Sequence, residues 1–517
     1  MSDATRSSHR SYDSKGLQHV HFVAIGGTGM GSLAGLLKAR GVLVTGSDKQ
    51  LYPPMSTALA DWGIEVAPGF SPENLEGLEP DLVVIGNAVR PDNPEAVAAI
   101  ESGLPVRSFS DALYELAIAH KHCITVSGTH GKTTTTNLMA QLLLATGRDP
   151  SLLVGGISLD FDASFREGAG DHFVVEGDEY DTAFFDKTPK FLHYHPDTLI
   201  LTSVEFDHAD IYRDLDHVKS AFRKLVGSMP PDGRVLAALM HEGVRDVSKD
   251  ASCPVIGYGV ERVGAADPID GVRWWASSPV PRERWLRFEL EDRKSGRRFE
   301  VESPLFGTHN IENVVAVLAA LDALDVPLAE AIVALRAHRG VKRRQEVRGR
   351  AAGVTVIDDF AHHPTAVAGT IEAIAQRDAR PTSADGESRP SRGRVVALLE
   401  PRTNTSRRAL FQDDYVRALE GADRIAIAEV GDEPIYSATG EVTECLSAKA
   451  VAKALRDRGR DAAAFAEIDD IVRWVVEGRQ TGDTVLVMSN GAFGGIWEKL
   501  LAALEAAEAG VASDLPE

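Results

Sequence analysis

A chain of 517 residues with 76 acidic against 55 lysine and arginine side chains, a formal net charge of −21, argues against nucleic-acid binding, because no basic face is evident. Its length predicts roughly three domains of ~150 residues, and with 44% apolar residues it can bury several cores. No apolar run approaches the about 18 residues of a membrane span, and the three scattered cysteines, Cys123, Cys253 and Cys445, make neither a disulfide framework nor a metal-ligand pair, so a reducing, cytoplasmic setting with small core thiols is expected.

The opening MSDATRSSHRSYDSKG is polar, has no apolar h-region and predicts a disordered tail. From about His19 to His122 the chain alternates strand and helix patterns: HFVAIGG, GMGSLAGLLKARG, VLVTGSD, LVVIGNA and PVRS. That alternation predicts a doubly wound parallel sheet. Gly26, Gly27, Thr28, Gly29, Met30 and Gly31 lie between the first strand and helix, and Asp48 ends the second strand. A diphosphate at the helix N-terminus fits this cluster, as does tight strand–helix packing. The spacing is not G-x-G-x-x-G, since position 32 is Ser, so NAD and a UDP-sugar both remain open.

The strand CITVS then runs into Gly128, Thr129, His130, Gly131, Lys132, Thr133 and Thr134 at a helix start. Glycines let backbone N–H groups turn inward around phosphates, Lys132 can neutralise the β- and γ-phosphates, and the Thr133 hydroxyl can ligate Mg²⁺. HFVVEGDEYD and DTLILTSVEFDHADIY predict strands ending in polar clusters, where an open parallel sheet holds its ligand. Glu176 and His208 in those clusters, with Thr133, form a plausible Mg²⁺ set. Asp178, Glu179 and Asp181 crowd the same place, for binding or as solvated charge.

Gly257–Ser303 alternates hydrophilically, as an antiparallel edge would. His309 and Asn310 are expected just before the helix IENVVAVLAAL and Asn313 in its first turn, for adenine or phosphate contacts or for N-capping. GVTVIDDF, RVVALLE, RIAIAEV and DTVLVMSNG predict the strands of a third α/β unit. Arg343 and Arg344, then Asp358, Asp359, His362 and His363, stand at its entrance, either to close over substrates or as a solvated hinge. Ala379–Gly393 predicts an exposed loop, and the tail after Gly510 is expected to fray.

In this order the motifs GTHGKTTTTN, EGDEYD, EFDHADIY, GTHNIENVVA, GVKRRQEVRG and DDFAHHPT resemble the Mur ligase family, from His19 to about Leu501. YPPMST, EYDTAFFDKTPKF, MSNGAFGGI and EPRTNTSRR are similar to the branch that couples the tripeptide L-Ala-γ-D-Glu-meso-diaminopimelate to UDP-N-acetylmuramate. The resemblance implies an α/β chain of three domains. A Rossmann-like UDP-sugar domain covers 17–122, a P-loop ATPase domain 123–338 and a Rossmann-like peptide-binding domain 339–510. It implies ATP and Mg²⁺, the latter on Thr133, Glu176 and His208. It implies Lys132, Glu176, His208, Arg344 and Asp359 as catalytic, and Gly128–Thr134, His309, Asn310, Asn313, Arg344 and Asp359 against the nucleotide. Substrate contacts follow at Gly27, Thr28, Gly29, Met30, Asp48, Asn87, His363, Arg402, Asn404 and Arg407. UDP-N-acetylmuramate and the tripeptide are the implied small-molecule partners of a monomer. An L-alanine-adding ligase of the same branch is the alternative. A nicotinamide oxidoreductase and a nucleotide-switched binding module are both weakened by the phosphate loop and the Glu176/His208 pair.

Overall fold

Short apolar strands, each followed by a turn and a helix, build the molecule. The structure, a computed structural model, describes residues 16–52, 55–182, 188–262, 268–282, 284–378, 393–431 and 434–513. Residues 1–15 of the expected N-terminal tail, 53–54 of YPPMST, 183–187 of EYDTAFFDKTPKF, 379–392 of the expected loop and 514–517 lie outside the described residues. Two compact units are present: one takes Met1–Val204, Ser220–Gly257 and Ala316–Ala334, the other Glu205–Lys219, Tyr258–Val315 and Leu335–Glu517.

The first unit holds the expected doubly wound sheet. Strands β1 (His19–Val23), β2 (Leu43–Asp48), β3 (Glu65–Pro68), β4 (Leu82–Ile85) and β5 (Val106–Ser108) are parallel in the order β3-β2-β1-β4-β5. The order reverses between β1 and β4, so the glycine cluster after β1 sits at the topological switch point. Val20 and Phe22 pack on one side with Leu33, Leu36 and Leu37, while Val23 joins Val83, Ile85, Ala96 and Ala99 on the other. A polar thread runs through that second layer. His19 Nε2 and His21 Nδ1 each lie 2.8 Å from Thr45 Oγ1, and His21 Nε2 lies 2.8 Å from Glu95 Oε1. The second oxygen of the buried Glu95 carboxylate accepts bonds from Ser71 N–H and Asn74 Nδ2, fixing the loop beyond β3.

The same unit contains the strands β6 (His122–Ser127), β7 (Ser151–Leu153), β8 (Phe165–Arg166), β9 (His172–Gly177), β10 (Thr198–Leu201) and β11 (Arg234–Ala238), ordered β11-β10-β6-β9-β7-β8. All these pairings are parallel except β7 with β8. The stretch DTLILTSVEFDHADIY forms a strand only over Thr198–Leu201; where the apolar run stops, so does the ladder.

In the second unit, Val272–Ala276, Val280–Arg282, Trp285–Asp292 and Arg297–Ser303 form the expected antiparallel segment. Asp292 is fully buried there; hydrogen bonds from Arg273 first, then from Ser295 and Arg297, hold its carboxyl far below the usual carboxylate range. Six further strands run in the order Glu346–Ala351, Val354–Asp359, Thr484–Met488, Val395–Leu399, Arg424–Ala428 and Asp461–Phe465, the first antiparallel to its neighbour and the rest parallel. Leu399, Ile425 and Met488 pack on one face against Val367 and Ile371, and Val356, Val487 and Leu398 on the other against Ile471 and Leu500.

Two details depart from the sequence expectations. Cys123 and Cys253 are buried, and burial pushes the Cys123 thiol up to about 12, but Cys445 is exposed, bridged by backbone to Arg408. The last helix, Ile496–Ser513, continues past Gly510. Among the described residues no helix is long and apolar enough to cross a membrane.

Candidate active site

β6 is an interior strand of its sheet, between β10 and β9, and the loop Gly128–Gly131 leaves its carboxyl end for the helix Lys132–Ala145. Gly128 has φ +143°, and a Cβ there would stand 2.1 Å from Thr202 Oγ1 and 2.8 Å from Ser203 N. Gly131 takes the left-handed conformation that closes the loop into the helix. Residues just beyond β10 clamp the loop: Thr129 N–H donates to Ser203 O at 3.0 Å, His130 N–H to Ser203 Oγ at 2.8 Å, and Thr202 Oγ1 to His130 O at 2.5 Å. The helix has no side-chain cap and no acidic residue in its first turn. Its N-terminus therefore offers N–H groups and partial positive charge to an anion.

Lys132 projects back over this loop. Its ammonium donates to Gly128 O at 2.7 Å, Thr129 O at 3.3 Å and Glu179 Oε2 at 2.7 Å. Burial alone would lower its pKa, but Glu179, Asp178 and Glu176 outweigh that and hold it above the ordinary lysine value. Beside it, Thr133 Oγ1 donates to Glu176 Oε1 at 3.0 Å, and Glu176 Oε2 accepts from Gly155 N–H at 2.8 Å. A hydroxyl and a carboxylate are hard oxygen donors, the kind Mg²⁺ prefers, so this pair fits that ion.

The expectation that His208 lies where a strand ends, as Glu176 does, needs correction. β6 lies between β9, which carries Glu176, and β10. His208 stands not at a strand end but in a turn of the second unit, with φ +53°.

The first sheet presents a second anion-ready helix start. Gly27 and Thr28 are exposed at the head of helix Thr28–Ala39, which has no side-chain cap and no acid in its first turn; Gly29 and Met30 follow. Gly27 has open space where a Cβ would stand, whereas a Cβ at Gly31 would meet Met55 Sδ at 2.2 Å and force that side chain to shift. Asp48 Oδ2 accepts from Gly26 N–H at 2.8 Å, so this carboxylate braces the glycine loop. Asn87 Nδ2 donates to Asp181 O at 2.7 Å.

The second unit gathers its charged residues along the carboxyl edge of its larger sheet. Asp358 is fully buried; burial raises its pKa, opposed by Arg343 and Arg348, each with a nitrogen 3.3 Å from Asp358 Oδ2. Arg343 also donates to Ser489 O and Gly491 O at 2.7 and 2.6 Å, tying the segment after strand Thr484–Met488 to its loop. Arg343 and Gln345 both have positive φ, +60° and +53°. Asp359 accepts from Gln345 N–H at 2.8 Å and Ala361 N–H at 2.7 Å; burial raises its pKa, and Arg344 is the largest influence pulling it back. The Arg344 guanidinium lies 4.9 Å from the Phe360 ring centroid. Asp207, His362, His363, Thr405, Ser406, Phe411 and Tyr415 line one small pocket. Burial would raise Asp207, but His208, His362 and His363 hold it well below the usual carboxylate range.

His309 and Asn310 lie within the helix Thr308–Ala323, not ahead of it, because Gly307 at φ +95° makes the turn. Asn310 Nδ2 donates to Phe306 O at 2.8 Å, and Asn313 Nδ2 to Asn310 Oδ1 at 3.3 Å. Of the arginines expected to meet an anionic peptide, Arg402 is exposed beside Gly491 while Arg407 is buried. Asn404 Oδ1 accepts from Tyr436 N–H at 3.5 Å. Glu179, the partner of Lys132, is not distinguished by the sequence from the neighbouring acids Asp178 and Asp181. Of these, Asp178 is engaged by Lys190 at 2.9 Å.

Comparison with known proteins bears on the whole chain. Residues 19–121 match the description "Mur ligase family, catalytic domain", 126–321 "Mur ligase middle domain" and 343–491 "Mur ligase, glutamate ligase domain". A UDP-N-acetylmuramate–L-alanyl-γ-D-glutamyl-meso-2,6-diaminoheptandioate ligase of Escherichia coli strain K12 is 37% identical, covering 93% of this chain and 97% of its own. A UDP-N-acetylmuramate–L-alanine ligase of Acetivibrio thermocellus is 30% identical over 93% of this chain and 94% of its own. The crystal structure of a murein peptide ligase from Psychrobacter arcticus 273-4 superimposes with a TM-score of 0.66 at 31% identity, covering 94% of this chain and 99% of that one.

Proposed function

The chain belongs to the Mur ligase family, with its three-domain α/β architecture, and from that premise we propose that it joins UDP-N-acetylmuramate to L-Ala-γ-D-Glu-meso-diaminopimelate at the expense of ATP. The observation that carries the ligase reading is the loop at β6: an uncapped helix start, a left-handed glycine and the Lys132 ammonium converge where a triphosphate would lie. The tripeptide is favoured by the 37% identity to the Escherichia coli enzyme of that name, against 30% for an L-alanine ligase.

A carboxylate is a poor electrophile, so amide formation needs it activated. The sugar-borne lactyl carboxylate attacks the γ-phosphorus of ATP, giving an acyl phosphate and ADP. The neutral amine of the tripeptide's L-alanine then adds to the acyl carbon, and the tetrahedral intermediate expels phosphate. Lys132 and the loop N–H groups neutralise the phosphates and hold them in line. Thr133 and Glu176 would hold Mg²⁺, which supplies further charge neutralisation on the phosphates. To the same reaction we assign the loop residues Gly128–Thr134 and, in the second unit, His208 as a further metal ligand, Arg344 and Asp359, with His309, Asn310 and Asn313 toward the nucleotide. Gly27–Met30, Asp48 and Asn87 are assigned to the UDP-sugar, and His363, Arg402, Asn404 and Arg407 to the peptide. The domain boundaries 17–122, 123–338 and 339–510 are part of this proposal, as are a monomeric state and a cytoplasmic role in recycling wall peptides, with its bearing on cell shape and division.

Phosphate release from ATP and UDP-N-acetylmuramate tests the reading. Turnover with the tripeptide is expected to exceed that with L-alanine by at least about tenfold, since a site built for several carboxylates leaves its polar groups unpaired with the smaller amine. Faster turnover with L-alanine would give the alternative, and none with either amine would overturn the ligase reading.

A further inference from the structure

A lysine ammonium has three N–H donors, and around Lys132 all three are taken. Two go to the carbonyls of Gly128 and Thr129 within the phosphate loop itself; the third goes to Glu179 at 2.7 Å. The pair is well shielded, with side-chain exposures of 13% for Lys132 and 3% for Glu179. Lys132 cannot meet a phosphate oxygen without releasing one of these partners. The carbonyl bonds belong to the loop's own backbone and travel with it. Glu179 comes from the segment after β9 and presents an anionic oxygen, the group a phosphate oxygen would replace one for one. Asp178 is held by Lys190, leaving Glu179 as the acid bonded to this ammonium.

We propose that Glu179 is a positioning residue that stands in for phosphate: it holds the Lys132 ammonium over the loop in the nucleotide-free protein and is displaced when the β-phosphate arrives. The inference rests on the phosphate-loop reading given above and extends it. Glu179 keeps a buried ammonium charged and aimed, at the cost of competing with the nucleotide for it. After exchange its carboxylate faces the incoming anion, so it must swing away. Replacement by the uncharged isostere removes the competition while keeping an oxygen that can accept a bond from Lys132.

The test is calorimetric titration of the full-length protein with ADP and, separately, with AMP, in EDTA so that no divalent ion takes part. Glu179→Gln is expected to bind ADP about tenfold more tightly than wild type, the scale of one charge-assisted contact, with no gain for AMP, which lacks the β-phosphate. A merely structural role would weaken both nucleotides alike. Should Glu179→Gln fail to melt cooperatively, Glu179→Asp, which shortens the reach to Lys132, is expected to tighten ADP in the same direction. Wild-type binding of ADP with unchanged or weaker binding by the folded variant overturns this inference and leaves the phosphate-loop reading standing. Wild-type protein that binds no ADP overturns both.

Discussion

Lys132→Ala is expected to lower turnover by roughly 10²–10³-fold, about 3–4 kcal/mol, the loss that follows removal of one preorganised donor at a site of developing charge. Lys132 is the loop's ammonium, set over the helix start by two loop carbonyls and Glu179. With it gone, charge moving onto the β–γ bridging oxygen of ATP loses the loop's own cationic donor and keeps, from the loop, only backbone N–H dipoles. The substitution also strands Glu179, a carboxylate 3% exposed. An abandoned partner of a buried pair costs about 3–5 kcal/mol of stability. The double variant Lys132→Ala/Glu179→Gln separates the two losses: it should regain much of the melting temperature and none of the rate. Single-turnover phosphate release beside thermal melting makes the comparison. Near-wild-type turnover in either variant would remove Lys132 from the chemistry.

Gly128→Ala is expected to abolish ADP binding and to cost about 2–4 kcal/mol of stability, combining backbone strain with overpacking. At φ +143° an alanine is strained whatever the space, and here there is none, with Thr202 Oγ1 2.1 Å and Ser203 O 2.9 Å from the added carbon. The two contacted residues are those that clamp Thr129 and His130. Relief therefore means moving the loop off the end of β10. Urea unfolding with ADP calorimetry reads both effects. The companion variant Gly27→Ala has open space and an ordinary φ of −68°, so it should leave stability nearly unchanged.

How far the sequence foretells such geometry depends on the range of the interactions. The phosphate loop is local: strand, glycines, lysine and helix start fall within Cys123–Asn137 and each constrains the next, so Lys132 and Thr133 are legible at once. Four strands of the five-stranded parallel sheet are legible for the same reason, as apolar runs alternating with helices; the edge strand β3, Glu65–Pro68, is not, because EVAP carries no apolar run and is only partly buried. Glu179 is not, because its partner is 47 residues away and nothing in GDEYD separates it from Asp178. In the larger sheet of the second unit, four strands announce themselves by apolar runs. Glu346–Ala351 and Asp461–Phe465 do not, one being charged and the other mostly alanine, which carries little strand preference. The polar tail of VEFDHADIY, read as strand, is turn because it offers the sheet nothing to bury. His309 and Asn310 fall inside their helix because the left-handed Gly307 makes the turn one residue before Thr308 begins it. Arg407 is buried although arginine in a polar segment predicts solvent.

The central claim is that ATP activates the sugar-borne carboxylate by phosphoryl transfer before the amine attacks. Its most direct test uses UDP-N-acetylmuramate carrying ¹⁸O in the lactyl carboxylate, incubated with ATP, Mg²⁺ and the tripeptide, with the released phosphate analysed by mass. One ¹⁸O atom in each inorganic phosphate formed, with ADP as the other product, is the predicted result. Unlabelled phosphate, or release of AMP and pyrophosphate, would contradict it.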